Sequence, residues 1–222
     1  MQLNPAIFRF FKQLAKNNNR EWFEQHKTEF KTLETEVKQF GEALKEQLNQ
    51  HDSIDRFKVF RIYRDVRFSK DKTPYKTHFG LTWHRTKPEF RGGYYLHLKP
   101  DDIFLACGFW DPASADLKRI RQEIDLDGDE YRNLINALAF KNTWGALQGN
   151  AVKTAPKGYA KDHPNIDLLR FKQHIFMIRY TEAEVAAANF MDRLDAALQA
   201  VRPFVDHMSA VLTTNADGEP LV

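Results

Sequence analysis

The chain has 222 residues, of which 42% are hydrophobic and 28% are charged, a composition typical of a globular protein with a sizeable core. Its formal net charge of +3 excludes a nucleic-acid-binding surface spread over the whole molecule, so any such surface must come from local clustering of charge. A single cysteine, Cys107, excludes an internal disulfide. With no run of about 20 apolar residues and no secretory leader pattern, we expect no membrane association and a reducing, cytoplasmic setting.

The first 49 residues are predicted to be helical. Asn4 and Pro5 form a helix start, and apolar residues follow at helical spacing up to residue 15. Apolar side chains then recur every three or four positions from Trp22 to Leu48, which predicts one long amphipathic helix over residues 20–49. The opposite face of this helix mixes Glu and Lys, as expected of a solvated surface.

After the long helix, the apolar pattern takes the period of strands. Strand-like runs cover residues 57–62, 78–84, 94–99, 103–108 and, after an intervening helical region, 174–180. Thr181 with Glu184 predicts the capped start of a long helix, and Pro203 predicts the start of a final one. This order predicts an α+β fold with a mostly antiparallel sheet of about five strands, covered by N-terminal and C-terminal helices.

The domain organisation is predicted from the lack of a linker or repeat in the sequence. No linker-like composition and no internal repeat divides it. We therefore expect a single α+β domain over residues 1–212, followed by a polar tail over residues 213–222 that is frayed.

Positive charge is concentrated in residues 56–76. This segment holds eight basic residues and two acidic ones, a net charge of +6 that is twice the net charge of the whole chain. Its apolar positions, which would anchor it to the core, are Phe60, Ile62, Val66 and Phe68. Arginines held on a strand suit bidentate recognition of phosphate or carboxylate, so the segment is predicted to bind an anion. The predicted ligand-binding residues are Arg61, Arg64, Arg67, Lys70, Lys72 and Lys76.

Three functions are compatible with this segment. As a binding module, it would take a phosphorylated small molecule or a nucleic-acid backbone, with help from Lys153, Lys157 and Lys161. As an enzyme, the arginines would clamp an anionic substrate while a second group transfers protons, the candidates being Asp65, Tyr75 and His163. As a structural or protein-interaction element, the cations would be held in salt bridges or would meet an acidic partner.

No cofactor and no metal site are predicted. The spacings H-x-H and H-E-x-x-H are missing, and a lone cysteine falls short of a zinc site. The sequence predicts neither the identity of the ligand nor the oligomeric state.

Three motifs show a resemblance to a known family. They are NNNREWF at residues 17–23, RIYRDVRFSKDKTPYK at residues 61–76 and PKGYAKDHPNIDLLR at residues 156–170. With them, the chain resembles the domain-of-unknown-function 2461 family of conserved hypothetical proteins over about residues 5–212. The resemblance implies a single domain found mainly in bacteria, and it implies no established reaction, cofactor or catalytic residue.

Overall fold

A computed structural model of the protein describes residues 1–215 and 219–221. The helices in these residues are α1 (Ala6–Lys16), α2 (Arg20–Gln25), α3 (Lys27–Leu48), α4 (Ser114–Leu126), α5 (Gly128–Asn136), α6 (Leu138–Trp144), α7 (Ile166–Leu169), α8 (Glu182–Val185) and α9 (Phe190–Thr213). The strands are β1 (Ile54–Val59), β2 (Phe79–Arg85), β3 (Gly93–Lys99), β4 (Asp102–Phe109) and β5 (His174–Tyr180). They form one antiparallel sheet in the order β1-β2-β3-β4-β5. The predicted α+β fold, with helices at both ends of the chain, is confirmed.

The predicted long helix over residues 20–49 is divided in two. The backbone leaves the helical conformation at His26, so α2 ends there and α3 begins one residue later. The His26 ring stacks on Trp22 with centroids 3.8 Å apart, and its Nδ1 lies 2.8 Å from the Trp22 carbonyl oxygen. Since this local stacking leaves the apolar period intact, the break gives no signal in the hydrophobic pattern.

The C-terminal helices differ from prediction at two points. Thr181 and Glu184 do form a capping box, but it heads the four-residue helix α8 and the long helix begins later, at Phe190. Pro203 lies inside α9, so the predicted start of a final helix at this residue is wrong. An interior proline removes one hydrogen bond and crowds the preceding turn, a cost that packing of the helix against the core can offset. The buried residues Val201 and Phe204 on either side continue the apolar face through it.

The described chain divides into two compact units. The first comprises Met1–Trp83, Tyr95–Leu105 and Arg179–Asp195, and the second comprises His84–Tyr94, Ala106–Ile178 and Ala196–Val222. The single-domain organisation stays a prediction. The predicted frayed tail lies partly outside the described residues, at 216–218 and 222; within the described part, Thr214 and Pro220 form an isolated antiparallel bridge.

In the first unit, α1 and α3 cover one face of the sheet. The Phe79 ring of β2 packs against Phe11 and Phe30, with centroids 4.9 and 5.6 Å apart. Trp83, fully buried on the same face, donates its indole N–H to the Gly41 carbonyl oxygen of α3 at 2.9 Å. Because side chains of a strand alternate between faces, the residues between these point to the opposite face.

In the second unit, an aromatic cluster forms the core. Phe204 of α9 meets the rings of Tyr131, Phe140 and Phe176, with centroids 5.1 to 5.9 Å apart. These rings come from α5, α6, β5 and α9, so the cluster holds together elements distant in sequence. No helix of the described residues is both long enough and apolar enough to cross a membrane.

Candidate anion-binding site

The basic segment folds as an irregular hairpin, which we call the basic arm (residues 60–76). Its backbone pairs in antiparallel fashion: Phe60 N–H donates to the Gly80 carbonyl at 2.9 Å, and Arg64 N–H donates to the Pro74 carbonyl at 2.9 Å. Between them, Lys76 N–H donates to the Ile62 carbonyl at 2.8 Å. The first of these main-chain hydrogen bonds joins the arm to β2, and the other two join the two sides of the arm to each other.

Two side chains anchor the arm in the first unit. Ile62 is buried as predicted, and so is Tyr75, of which 3% is exposed. The Tyr75 ring stacks on Phe23 with centroids 4.1 Å apart, and the Asn18 side-chain amide both donates to and accepts from the Tyr75 backbone. The predicted anchor Phe68 is wrong, because its side chain is 97% exposed. It lies in the turn of the arm, where strand alternation no longer applies.

Two of the predicted anion-binding arginines are engaged within the arm. Arg64 Nη1 donates to the Asp71 carboxylate at 2.6 Å, to the Thr73 carbonyl at 3.1 Å and to the Thr73 hydroxyl. Hydrogen bonds from Thr73 to the same carboxylate, then from Arg64, lower the pKa of Asp71 to about 2. Arg67 forms a bidentate pair with Asp65, with N–O distances of 3.0 and 2.7 Å. Both arginines therefore have carboxylate partners within the arm.

The predicted lysines differ in their contacts. Lys72 Nζ donates to the Val66 carbonyl at 2.9 Å and so helps to close the turn. Lys76 Nζ donates to the Arg61 carbonyl at 3.0 Å. Lys70 and Arg61 are exposed, and neither forms an ion pair within residues 1–215 or 219–221.

Two cations lie over the ring of Phe60, and a third, Arg61, acts on the charge of one of them. Lys58 Nζ and Lys76 Nζ lie 5.3 and 5.6 Å from the ring centroid. Burial, followed by the charges of Arg61 and Lys58, lowers the pKa of the Lys76 ammonium. In the part of the chain that the structure describes, no carboxylate forms an ion pair with any of the three. We call Lys58, Arg61 and Lys76 the cation cluster.

Each candidate proton-transfer residue has its own partners within one unit. The Arg67 guanidinium pairs with Asp65 and lowers the pKa of its carboxyl, while burial raises the pKa of Tyr75 in its packed position. His163 belongs to the second unit, where its Nε2 lies 2.8 Å from the Asp125 carboxylate and its Nδ1 accepts the Asn165 N–H. The enzyme hypothesis stays a prediction.

Lys58 is a member of the cluster that sequence analysis did not select for the site. Its signal is the spacing of two residues from Phe60, which places both side chains on one face of the extended chain. The loop lysines at 153, 157 and 161 are exposed in the second unit.

One group of side chains in the described residues has the spacing of a metal site. Potential ligand atoms of Glu123, Glu130 and His207 lie within 4.8 Å of one another, and His207 Nδ1 is 3.5 Å from Glu130. The group borders a cleft of about 580 Å³ in the second unit. It combines α4, α5 and α9, so sequence spacing could not show it. No second feature of the described structure points to a bound ion there.

The two arginines within the arm should differ in their structural effect. We expect Arg64→Ala to increase amide hydrogen exchange in residues 62–76 on the order of tenfold, because this side chain closes the turn through three acceptors. Arg67→Ala removes a pair whose side chains are 76% and 48% exposed, so we expect little change. Hydrogen-exchange mass spectrometry of both variants checks this. Equal exchange in both would show that Arg64 does not hold the turn.

The structure defines an α+β protein with a five-stranded antiparallel sheet and a basic arm between β1 and β2. A family model described as "Conserved hypothetical protein (DUF2461)" matches residues 6–207. The chain belongs to this family. Comparison with curated proteins and with solved structures gives no match.

Proposed function

We propose that the protein binds a phosphate-bearing anion through the cation cluster of Lys58, Arg61 and Lys76. The proposal is carried by two ammonium groups that lie over Phe60, those of Lys58 and Lys76, with Arg61 linked to Lys76 through its carbonyl and its charge. Among the described residues, no carboxylate forms an ion pair with any of the three. Like charges held close together raise the free energy of the unliganded protein, and a bound anion relieves that repulsion. Arg61 offers a guanidinium fork for two oxygens, and the lysines offer compact charges.

The basic arm is suited to present this cluster. The two arginines nearest its turn are paired with Asp65 and Asp71, so they do not compete for the ligand. Phosphate is the shared chemistry of the two ligand sources, a phosphorylated small molecule and a nucleic-acid backbone. Lys70, exposed and outside any ion pair of the described residues, adds positive charge at the turn.

The test is isothermal titration calorimetry of the full chain with pyrophosphate. We expect the triple variant Lys58→Gln, Arg61→Gln, Lys76→Gln to bind at least about tenfold more weakly, because each cation supplies a charge-assisted hydrogen bond.

The matched control removes the same charge from the surface of α3. It is the triple variant Lys27→Gln, Lys31→Gln, Lys38→Gln, whose lysines pair with Glu24 or Glu34. We expect its affinity for pyrophosphate to stay within about twofold of the unmodified chain. An equal loss of pyrophosphate affinity in both triple variants would show that binding depends only on the net charge of the protein, and it would overturn the proposal.

A structural role is the second candidate function of the arm. The network of Arg64 with Asp71 and Thr73 favours it, since these bonds join two ends of the turn. The hydrogen-exchange comparison of Arg64→Ala and Arg67→Ala tests this role separately from ligand binding.

We also propose that the protein works in the cytoplasm. Its one cysteine, Cys107, is a free and buried thiol, so the chain has no internal disulfide of the kind that stabilises many exported proteins. Fractionation of cells that express the full chain checks this, and recovery from an exported fraction would contradict it.

A further inference from the structure

A row of aromatic rings crosses the sheet face opposite the helices of the first unit. Phe60 follows β1, Tyr95 lies on β3 and Phe104 lies on β4. The centroids of Phe60 and Tyr95 are 6.2 Å apart, and those of Tyr95 and Phe104 are 5.9 Å apart. We call these three residues the ring row.

The strand beneath the ring row makes room for it. A side chain at Gly80 of β2 would place its Cβ 2.7 Å from the Tyr95 hydroxyl oxygen and 3.2 Å from Cδ2 of Phe60. The two rings therefore lie over a strand position that has no side chain of its own. Such a glycine in a strand marks close approach by a neighbouring group.

A histidine below the row orients its rings. His97 Nδ1 is 2.9 Å from the Tyr95 hydroxyl, and the His97 ring stacks on Phe104 with an interplanar angle of 12°. His78 lies against His97 on the other side, with centroids 4.2 Å apart. The rings are thus held by contacts within the sheet, while 38% of Phe60 is exposed and Tyr95 and Phe104 are half-buried.

Two cations lie at one end of the ring row, and an ion pair lies at the other. The Lys58 and Lys76 ammonium groups lie over Phe60, and Arg179 of β5 lies 5.9 Å from the centroid of Phe104. Arg179 pairs with Asp102 and is 68% exposed. The basic arm carries two further exposed rings, Tyr63 and Phe68, next to its own cations. The positive charge outside ion pairs of the described residues therefore lies at the Phe60 end of the ring row.

We propose that this surface binds single-stranded nucleic acid, with bases stacked on the ring row and phosphates on the cation cluster at its Phe60 end. The proposal rests on the proposed function and names its ligand class. Stacking of bases on sheet aromatics beside a basic surface is a general mode for single strands. A duplex keeps its bases within the helix, out of reach of rings that lie flat on a sheet. An acidic peptide would match the charges but would leave the rings without a flat partner.

The test uses the full chain and a fluorescein-labelled twelve-residue oligothymidylate, with binding followed by anisotropy. We expect Phe60→Leu to weaken binding about tenfold, within the range measured for loss of one stacked base. Phe60→Trp keeps an aromatic ring and should bind as tightly as the unmodified chain. Gly80→Ala, which displaces two rings and removes no charge, should also weaken binding. Circular dichroism and thermal melting of each variant ensure that the comparison is between folded proteins.

The salt dependence separates the rings from the charges. The double variant Lys58→Gln, Lys76→Gln should make the slope of log affinity against log salt less steep by about 1.4, and Phe60→Leu should leave the slope unchanged. Equal affinity of Phe60→Leu and the unmodified chain would overturn the stacking proposal. So would stronger binding of a duplex of the same length, or of polyglutamate.

Pyrophosphate binding distinguishes failure of this inference from failure of the proposed function. If pyrophosphate binds through the cation cluster and the oligothymidylate does not bind, the ligand is a small phosphorylated molecule and the nucleic-acid proposal is wrong. If the oligothymidylate binds through Phe60 but the affinity for pyrophosphate does not depend on the cation cluster, the stacking proposal stands and the proposed phosphate site is wrong.

Discussion

Replacing Gly108 by alanine should destabilise the protein by about 3 kcal/mol or more. Gly108 lies in β4 with a φ of 108°, where L side chains are strained. An added Cβ would lie 2.1 Å from the carbonyl oxygen of His174 in β5, a backbone atom that cannot rotate away. Relief of this contact requires the two strands to separate, so the cost adds to that of the backbone strain. Urea denaturation gives the change in free energy of unfolding.

Gly158 is the matched control for this substitution. Its φ is 97°, and a Cβ there would meet no heavy atom within 4 Å. We expect Gly158→Ala to cost about 1–2 kcal/mol from conformational strain alone. A similar loss of stability in both variants would show that the close approach of β4 and β5 contributes nothing.

The fully buried His174 should make the protein sensitive to acid. Burial, with a smaller effect of the Arg121 charge, lowers the pKa of His174 from its ordinary 6.5 to about 4. The unfolded chain therefore binds this proton more readily than the folded protein does. The stabilisation that comes from keeping His174 neutral is fully present above pH 6.5. Below that pH, the free energy of unfolding falls by up to about 1.4 kcal/mol per pH unit, and the loss is on the order of 3 kcal/mol near pH 4.

The variant His174→Gln isolates this contribution from those of other titrating groups. We expect its free energy of unfolding, measured by urea denaturation between pH 7 and pH 4, to fall less steeply than that of the unmodified chain. The slopes of the two curves of unfolding free energy against pH should differ by an amount that approaches the uptake of one proton on unfolding. Proton NMR supplies an independent check, since the His174 ring should not titrate until about pH 4. A midpoint near 6.5, or parallel stability curves, would contradict the prediction.

The charge of the site could be predicted, but the pairing of its groups could not. Counting residues was sufficient to find the excess of cations around residues 56–76. Arg64, Arg67 and Arg61 are indistinguishable in that count, yet the first two pair with Asp71 and Asp65 and the third does not. Partner choice depends on where the hairpin turns, and Coulomb energy depends on distances that a linear pattern does not contain.

The ring row could not be predicted from the sequence. The apolar pattern predicts Phe60 in the core, yet this side chain is more than a third exposed. Tyr75, a candidate for proton transfer from sequence, is buried in the core. Tyr95 and Phe104 join Phe60 only because β3 and β4 follow β2 in the sheet. Neighbours across strands are distant along the chain, so alternation within each strand cannot reveal them.

The amino-acid sequence by itself determined the family, the α+β class, most strand positions and the place where positive charge collects, because period and composition act locally. Only the tertiary structure decided which cations stay outside the ion pairs of the described residues and which rings share a face. It also decided where a helix breaks, as at His26, and where one continues, as through Pro203. These features depend on contacts between distant residues, and their energies exist only once the strands and helices have packed.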